Sequence, residues 1–338
     1  GRHHQGAAAF WALGTDFLRR IRWPPPQAVA GQNHWRLMNR FLLAYAVLMA
    51  GWLPVDAAPA VTGYLPHYRA GIIDKLPVEK LTDIIFFSIA PKADGSLDTK
   101  NAKPKVLRKL TARAHAKQVR VHICVGGWGL SGGFAPMTAN PKARAAFVQQ
   151  LTAFVRQHRL QGADIDWEHP KTAAEIANYQ KLLIELKRAF VPHQLWLTVA
   201  AAGWGQHLKR ETIQFIDRIH VMAYDQGTPH APFAGAMKDL HYWKAQGAPK
   251  AKLLLGLPFY GRNAQNTART YSELVAQFKT KPDADVAGGF HFNGPATIRR
   301  KTIHAVRGGY GGVMIWELGQ DTAGKASLLD AVRAALPR

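Results

Sequence analysis

Cysteine is almost absent from this sequence: Cys124 is the only one. A lone thiol excludes a disulfide within the chain and a zinc site built on several cysteines. Acidic residues are also scarce, with 22 Asp and Glu against 44 Lys and Arg in 338 residues, a formal charge of +22. Such an excess fits either an anionic partner or a basic surface that keeps the protein soluble. The patterns that would make the partner a nucleic acid are missing. There is no zinc-finger spacing, no RNP signature and no basic region leading into leucine heptads, and the Lys and Arg residues are dispersed. No nucleic-acid partner is expected. H-E-x-x-H and G-x-x-x-x-G-K-[ST] are absent too, which removes the usual zinc-protease and P-loop motifs. Neither a metal nor a cofactor is expected. With 47% hydrophobic and 20% charged residues, the chain can bury a core and is not a disordered polymer.

Residues 41–55 (FLLAYAVLMAGWLPV) carry no charge, but the run is short of the roughly 20 apolar residues that span a bilayer. It follows Met38-Asn39-Arg40 and leads into Val55-Asp56-Ala57. A short positive start, an apolar centre and small or aliphatic residues at −3 and −1 are the order of a secretory signal. A buried helix and a retained anchor are the alternatives for the same residues. The expectation is a signal peptide over 38–57, cut before Ala58, and no stable membrane insertion afterwards. Residues 1–37, with Pro24-Pro25-Pro26 and no sustained periodicity, are read as a non-native or upstream leader. The mature chain is then 58–338, secreted or periplasmic, and expected to be a monomer. Six Arg and two Asp fall within 1–57, leaving 38 basic and 20 acidic residues, or +18, in 58–338. The basic character belongs to the domain itself.

Within 58–338, short apolar and β-branched runs recur with helical segments between them. Strands are predicted over 61–65, 83–89, 119–125, 163–167, 195–200, 218–223, 253–257 and 312–316. Helices are predicted over 104–117, 141–158, 173–190 and 295–307. Three of them open on a proline suited to the first helical turn. Strand–helix alternation implies a parallel sheet with crossovers, and eight repeats in about 280 residues fit a closed (β/α)8 TIM barrel better than an open doubly wound sheet. In such a barrel the chemistry sits at the C-terminal ends of the strands.

The fourth predicted strand is the most informative stretch: Gly162-Ala163-Asp164-Ile165-Asp166-Trp167-Glu168-His169-Pro170. Side chains alternate along a strand, so Asp164, Asp166 and Glu168 share one face, with neighbours about 6.6 Å apart. Three carboxylates in a row repel one another and lose solvation. By themselves they fit a metal site as well as acid catalysis. The spacing nevertheless points to a mechanism. Glu168, last in the row, reaches furthest into the cleft, and an ionised Asp166 beside it would raise its pKa and keep it ready as a general acid. Glycosidases usually flank the scissile bond with two carboxyl groups from two sides. Here all three come from one strand, so a glycosidase built on them would need a nucleophile from its substrate.

This strand resembles the D-G-x-D-x-D-x-E signature of the family 18 glycoside hydrolases, which include chitinases. Only the first acidic position departs, being Gln161. Val121–Gly127 (VHICVGG) followed by Trp128 is similar to the family's third-strand S-x-G-G-W, with Cys124 at the Ser position. Met222-Ala223-Tyr224-Asp225 resembles the sixth-strand M-x-Y-D, residues 256–262 (GLPFYGR) the seventh-strand G-x-P-F-Y-G-R, and residues 311–317 (GGVMIWE) the eighth-strand G-G-x-M-x-W-E. Gly63-Tyr64 resembles the start of the first strand. These motifs occur in family order across about 60–320.

The resemblance implies a secreted retaining hydrolase of β-1,4-linked N-acetylglucosamine polymers, chitin or chitooligosaccharides, acting through an oxazolinium intermediate made by the sugar's own N-acetyl oxygen. It implies that Glu168 protonates the leaving oxygen and then activates water. Asp166 orients the N-acetyl group, Asp164 shares a proton or hydrogen bond with Asp166, and Tyr224 hydrogen-bonds the N-acetyl oxygen. Trp316 floors the −1 sugar. Asp225, Tyr260 and Arg262 line the cleft, with Met222 and Tyr64 beside them. Trp128 and Trp204 are candidate platforms further out. Peptidoglycan or the chitobiose core of N-glycans would suit the same mechanism. A non-catalytic chitin-binding lectin is the reading from another class, and the presence of Glu168, Asp166 and Tyr224 argues against it.

Two positions depart from the family pattern. A Cys124 thiol is a weaker hydrogen-bonding group than a Ser hydroxyl, which bears on the proton near Asp164. Gln161 has the opposite parity to the three carboxylates and is expected to face away from them. About 33 residues separate Arg262 from Pro295, too few for the α+β insertion domain of large processive chitinases. A shallower, more open groove is expected.

Overall fold

The computed structural model describes residues 58–337 except 206. The predicted leader (1–37) and signal (38–57) lie outside the described residues. Eight parallel strands close on themselves: β1 (Ala60–Pro66), β2 (Asp83–Pro91), β4 (Arg120–Gly126), β5 (Gly162–Asp166), β6 (Trp196–Ala202), β7 (Arg218–Met222), β8 (Leu253–Pro258) and β13 (Gly312–Trp316). Each pairs with the next in chain order, and β1 pairs with both β13 and β2, which leaves no open edge. The short β3 (Leu97–Asp98) turns back antiparallel on the end of β2. This is a (β/α)8 TIM barrel, and all eight predicted strands fall on its staves.

The main crossover helices form for local reasons. In α1 (Pro104–His115), Leu107, Leu110, Thr111 and Ala114 are buried on one stripe. After α2 (Phe134–Ala139), the chain enters α3 (Pro141–Gln157) through Asn140, whose side chain accepts the Lys142 and Ala143 N–H groups, with Pro141 in the first turn. Thr172 and Glu175 form a capping box at the head of α4 (Ala173–Phe190). The remaining helices are α5 (Arg210–Ile213), α6 (Phe233–Ala245), α7 (Tyr271–Phe278), α8 (Pro295–Arg307) and α9 (Leu328–Arg333). Only the predicted helix ends at 117 and 158 overshoot; both fall past the last regular turn.

The connection between β8 and α8 is not a bare loop. Strands β9 (Tyr260–Arg262), β10 (Ala268–Thr270), β11 (Val286–Ala287) and β12 (Phe290–His291) make a small antiparallel sheet in the order β10-β9-β12-β11, carrying α7. Strands of two or three residues leave no periodic trace in a sequence.

Two apolar layers follow from strand alternation. One face of the staves packs on the helices in a large core that includes Val61, Ile123, Ile165, Val199, Leu255 and Val313. The other face fills the barrel with Tyr64, Ile85, Phe87, Cys124, Leu254 and Met314, against Met222, Tyr224 and Trp316. The N-terminal end of the barrel is closed by a charged cluster. Buried Asp83 accepts hydrogen bonds from Arg120 Nε (2.6 Å) and Nη2 (2.9 Å), Arg218 Nη1 (2.7 Å) and Thr82 Oγ1 (2.6 Å), with His122 Nε2 at 3.1 Å. Arg120 and Arg218 flank the Trp196 ring at 4.6 and 4.7 Å from its centroid. Burial pushes the Asp83 carboxyl up, but His122, Arg120 and Arg218 outweigh burial and hold it well below the usual range.

Candidate active site

The opposite end of the barrel is built around β5. Trp167, at odd parity, turns to the helix side and stacks on Phe134 (5.2 Å between centroids, 16° between planes), with Tyr179 edge-on at 5.3 Å. That anchor points Asp166 and Glu168 to the other side, toward the barrel mouth. The paired glycines at the end of β4, Gly126 and Gly127, have φ of +96° each. A side chain at Gly126 would meet the Asp166 carbonyl oxygen at 2.3 Å, and one at Gly127 would meet the Phe87 ring at 2.3 Å. Only glycine fits both the backbone and the space. Ser131 then ties this turn to β5: its Oγ lies 3.1 Å from the Gly127 and Asp166 carbonyl oxygens and accepts the Glu168 N–H at 3.0 Å.

The three carboxyl groups sit in three different environments. Asp164 is fully buried, and both of its oxygens are occupied. Tyr64 donates its hydroxyl to Oδ2 at 2.6 Å, Thr198 donates to Oδ1 at 2.6 Å, and His220 Nδ1 lies 3.1 Å from Oδ1. Burial raises its pKa, but His220, Thr198 and Tyr64 together bring it below the ordinary value. Asp166 is 3% exposed, and its Oδ1 has no hydrogen-bond partner among the described residues. Burial, then the charges of Glu168 and Asp164, push it well above the carboxylate range. Glu168 is half-buried and pushed up to about 7, first by burial, with the Trp128 N–H opposing and the Asp225 charge adding.

This distribution differs from the expectation in two respects. The rise at Glu168 comes from burial rather than from an ionised Asp166, because the more deeply buried Asp166 is itself driven toward its neutral form. No hydrogen bond joins Asp164 to Asp166 among the described residues, since three other strands already satisfy Asp164.

The remaining predicted residues ring the same mouth. Trp316 lies edge-on to Phe87 (4.9 Å, 82°) and tilted on Tyr64 (5.5 Å). Tyr224 faces Tyr260 at 6.1 Å, and burial keeps its hydroxyl neutral, with its pKa well above the usual phenol value. Met222 is partly buried and packs against the layer inside the barrel. Asp225 forms a fork with Arg262 (Nε–Oδ1 2.5 Å, Nη2–Oδ2 3.0 Å) and accepts the Tyr260 hydroxyl at 2.8 Å. Glu317 is engaged by Arg69 at 3.2 Å and by the Gly319 N–H at 2.7 Å. Trp128 and Trp204 stand out from the rim, 81% and 66% exposed. Gln161 faces away as parity requires, accepting from Val121 N at 2.7 Å, and Cys124 is buried opposite Asp164 in register. Among the described residues no group of three or more His, Cys, Asp or Glu side chains is arranged to hold a metal ion.

Several residues of this constellation give no signal in the sequence. Thr198, His220 and Ser131 are single polar residues in apolar or small-residue surroundings. His230 is another, with Nδ1 3.4 Å from Asp225 Oδ1. A second histidine joins His169 at the rim: His169 stacks on His207 at 5.3 Å, and Trp204 lies edge-on to both.

The chain is 30% identical over 275 residues to an endochitinase of Manduca sexta, covering 67% of this chain and 49% of that protein. It spans about half the length of the curated relatives it matches. Its structure superposes on a chitinase of Bacteroides thetaiotaomicron with a TM-score of 0.77 at 27% identity, covering 83% of this chain and 97% of that one. A GH18 chitinase, ChiB, of Flavobacterium johnsoniae gives 0.75 at 28% identity, covering 82% and 94%. The model of glycosyl hydrolases family 18 matches residues 60–321, and the chain belongs to that family.

Proposed function

We propose that this protein is a retaining endo-acting hydrolase of β-1,4-linked N-acetylglucosamine polymers, with chitin or chitooligosaccharides as substrate. The observation that carries this reading is the gradient along β5. An ionised Asp164, a neutral-leaning Asp166 and a Glu168 at about 7 share one face of a strand that ends in a mouth bordered by aromatic rings. A group with a pKa near 7 is suited to give up a proton and take one back in the same cycle.

Glu168 donates its proton to the leaving glycosidic oxygen as the bond to the anomeric carbon breaks. The other acids at the mouth are tied down: Asp225 by Arg262 and Tyr260, Glu317 by Arg69 and a backbone N–H. As in the substrate-assisted route of family 18, the nucleophile is assigned to the acetamido oxygen of the −1 sugar, which closes an oxazolinium ring on the anomeric carbon. Asp166 accepts the acetamido N–H with one oxygen and faces Glu168 with the other. Tyr224 holds the acetamido oxygen in line, and the Trp316 ring floors the sugar. Water, deprotonated by the Glu168 carboxylate, reopens the ring with net retention. Trp128 and Trp204 extend an open groove. Secretion or periplasmic location follows from the signal-like residues 38–57, and the protein is taken to act as a monomer.

The test is fluorophore release from a chitobiose glycoside by the full chain and by its Glu168→Gln variant. Release by the first and at least about 100-fold less by the second supports the assignment. The charge of +18 on 58–338 favours an anionic polymer, so peptidoglycan and an N-glycosylated protein are assayed in parallel. Preference for either transfers the same mechanism to that polymer. Chitin binding by a folded protein without any hydrolysis would make it a lectin.

A further inference from the structure

We propose that His220 is a positioning residue for this reaction: from inside the barrel it keeps Asp164 anionic and thereby leaves the mobile proton on Asp166, beside Glu168. The proposal rests on the reading of the site given above, in that the proton matters only if Glu168 and Asp166 act on a sugar.

His220 lies on β7, 1% exposed, two residues before Met222. It has no part in the sequence motif that ends in Tyr224 and Asp225. Its Nδ1 is 3.1 Å from Asp164 Oδ1 and 3.2 Å from the Tyr64 hydroxyl oxygen. The Tyr64 hydrogen is committed to Asp164 Oδ2 at 2.6 Å. The tyrosine oxygen therefore faces Nδ1 as an acceptor, and so does Oδ1. Both neighbours require a hydrogen on Nδ1, in the neutral ring or in the imidazolium. Among the described residues His220 is the only side chain able to carry positive charge within 4 Å of Asp164. Besides Tyr224 and Tyr179, phenols that burial keeps neutral, the other titratable groups facing this layer among the described residues are Tyr64 from β1, Cys124 from β4, and Asp164 and Asp166 from β5. Burial holds the Tyr64 phenol and the Cys124 thiol in their neutral forms, each pushed well above its usual value.

The consequence is an ordering of protons. Two buried carboxyl groups on one face cannot both ionise cheaply, and the better-solvated one keeps the charge. Asp164 has three donors from three strands, whereas Asp166 Oδ1 has none. The proton therefore resides on Asp166. From there Asp166 can donate a hydrogen bond, its proton retained, to the Glu168 carboxylate once Glu168 has passed its own proton to the leaving oxygen, while its second oxygen accepts the acetamido N–H. Without His220, Asp164 competes for that proton: part of it moves off Asp166, and the pair as a whole holds it to higher pH.

The experiment has one arm that needs no activity. In 15N–1H spectra of the full chain, the His220 ring is identified by its loss in His220→Asn. A hydrogen on Nδ1 from pH 5 to 8, and a change in that resonance in Asp164→Asn, is the expected result. An Nδ1 without hydrogen overturns the proposal whether or not the protein hydrolyses anything. The second arm is the pH profile of kcat/KM on a chitobiose glycoside. In His220→Leu, checked for wild-type melting behaviour, the alkaline limb moves up by about one pH unit and the plateau of kcat falls with KM nearly unchanged, the direction expected when a donor partner within 4 Å of a buried carboxylate is lost. His220→Asn, which restores a donor near the Nδ1 position, recovers part of that shift. An alkaline limb unmoved in a folded His220→Leu protein contradicts the proposal. An inactive wild type with Nδ1–H intact removes the function assigned above but leaves the His220–Asp164 pair standing.

Discussion

At the N-terminal end of the barrel, buried Asp83 takes hydrogen bonds from two arginines and a threonine, with a histidine at 3.1 Å. At the C-terminal end, equally buried Asp166 has an oxygen with no partner and two carboxyl groups for neighbours. The same side chain is held well below its ordinary pKa at one end and well above it at the other. A buried charge that is fully paired supports a fold, whereas one left unpaired works against it. Such a deficit persists where the local chemistry needs it, and in this fold the C-terminal end is where chemistry is found. The contrast between the two aspartates thus separates the part of the barrel that is built for stability from the part proposed to act on a substrate.

The largest expected effect breaks the functional end alone. Glu168→Gln lowers hydrolysis by about 10²- to 10⁴-fold, the usual contribution of a general acid, with no fall in melting temperature. Kinetics and calorimetry on one sample check both halves.

The matching change at the other end reverses the pattern. Asp83→Asn leaves Arg120 and Arg218 facing a neutral group inside the barrel and costs ~3–5 kcal/mol of stability, read from the urea midpoint. The turnover of the molecules that remain folded at low temperature stays as in the wild type. The pH dependence has a definite sign. The folded value for Asp83 is depressed, so its contribution is present above ~4, the ordinary value for aspartate, and is lost as pH falls through the depressed value.

The pH profile of activity sharpens the comparison next. Glu168 must be protonated to act and sits at about 7. Rates therefore fall by about tenfold per unit above that point. An Asp225→Asn change removes one of the charges that raises Glu168 and moves the limb to lower pH. The smallest effect belongs to the rim. Trp128 is 81% exposed, and Trp128→Ala raises KM for long oligosaccharides by about two- to tenfold, with kcat little changed, since ring stacking is worth ~0.5–1.5 kcal/mol.

The barrel was legible in the sequence because its staves are buried on both faces. Runs such as 253–257 and 312–316 are apolar throughout, and helices break them at regular spacing. Asp164, Asp166 and Glu168 stood out for the opposite reason, as charges where a packed strand wants none. Asp83 and Arg218 also open strands, but no spacing connects them: they lie 135 positions apart and meet only across the closed barrel. Thr198 reaches Asp164 from the adjacent stave and His220 from the stave beyond it, and Ser131 acts through backbone groups that any sequence would supply. The small sheet over 260–291 was invisible because its strands are too short to alternate. What a linear pattern conveys here is which residues share a face of one strand. Which residues meet across the barrel depends on how the strands close.

The most direct test is the unfolding free energy of Asp166→Asn against wild type at pH 7 and pH 4, alongside its activity. The folded value for Asp166 is raised, so the wild type is penalised increasingly as pH climbs from ~4 through that raised value. The account predicts an Asn variant that is more stable by ~0.5–2 kcal/mol at pH 7, equal to wild type near pH 4, and at least about 100-fold less active. A variant less stable than wild type at pH 7 would show that Asp166 is a satisfied structural carboxylate, and would contradict the division of the barrel into two ends.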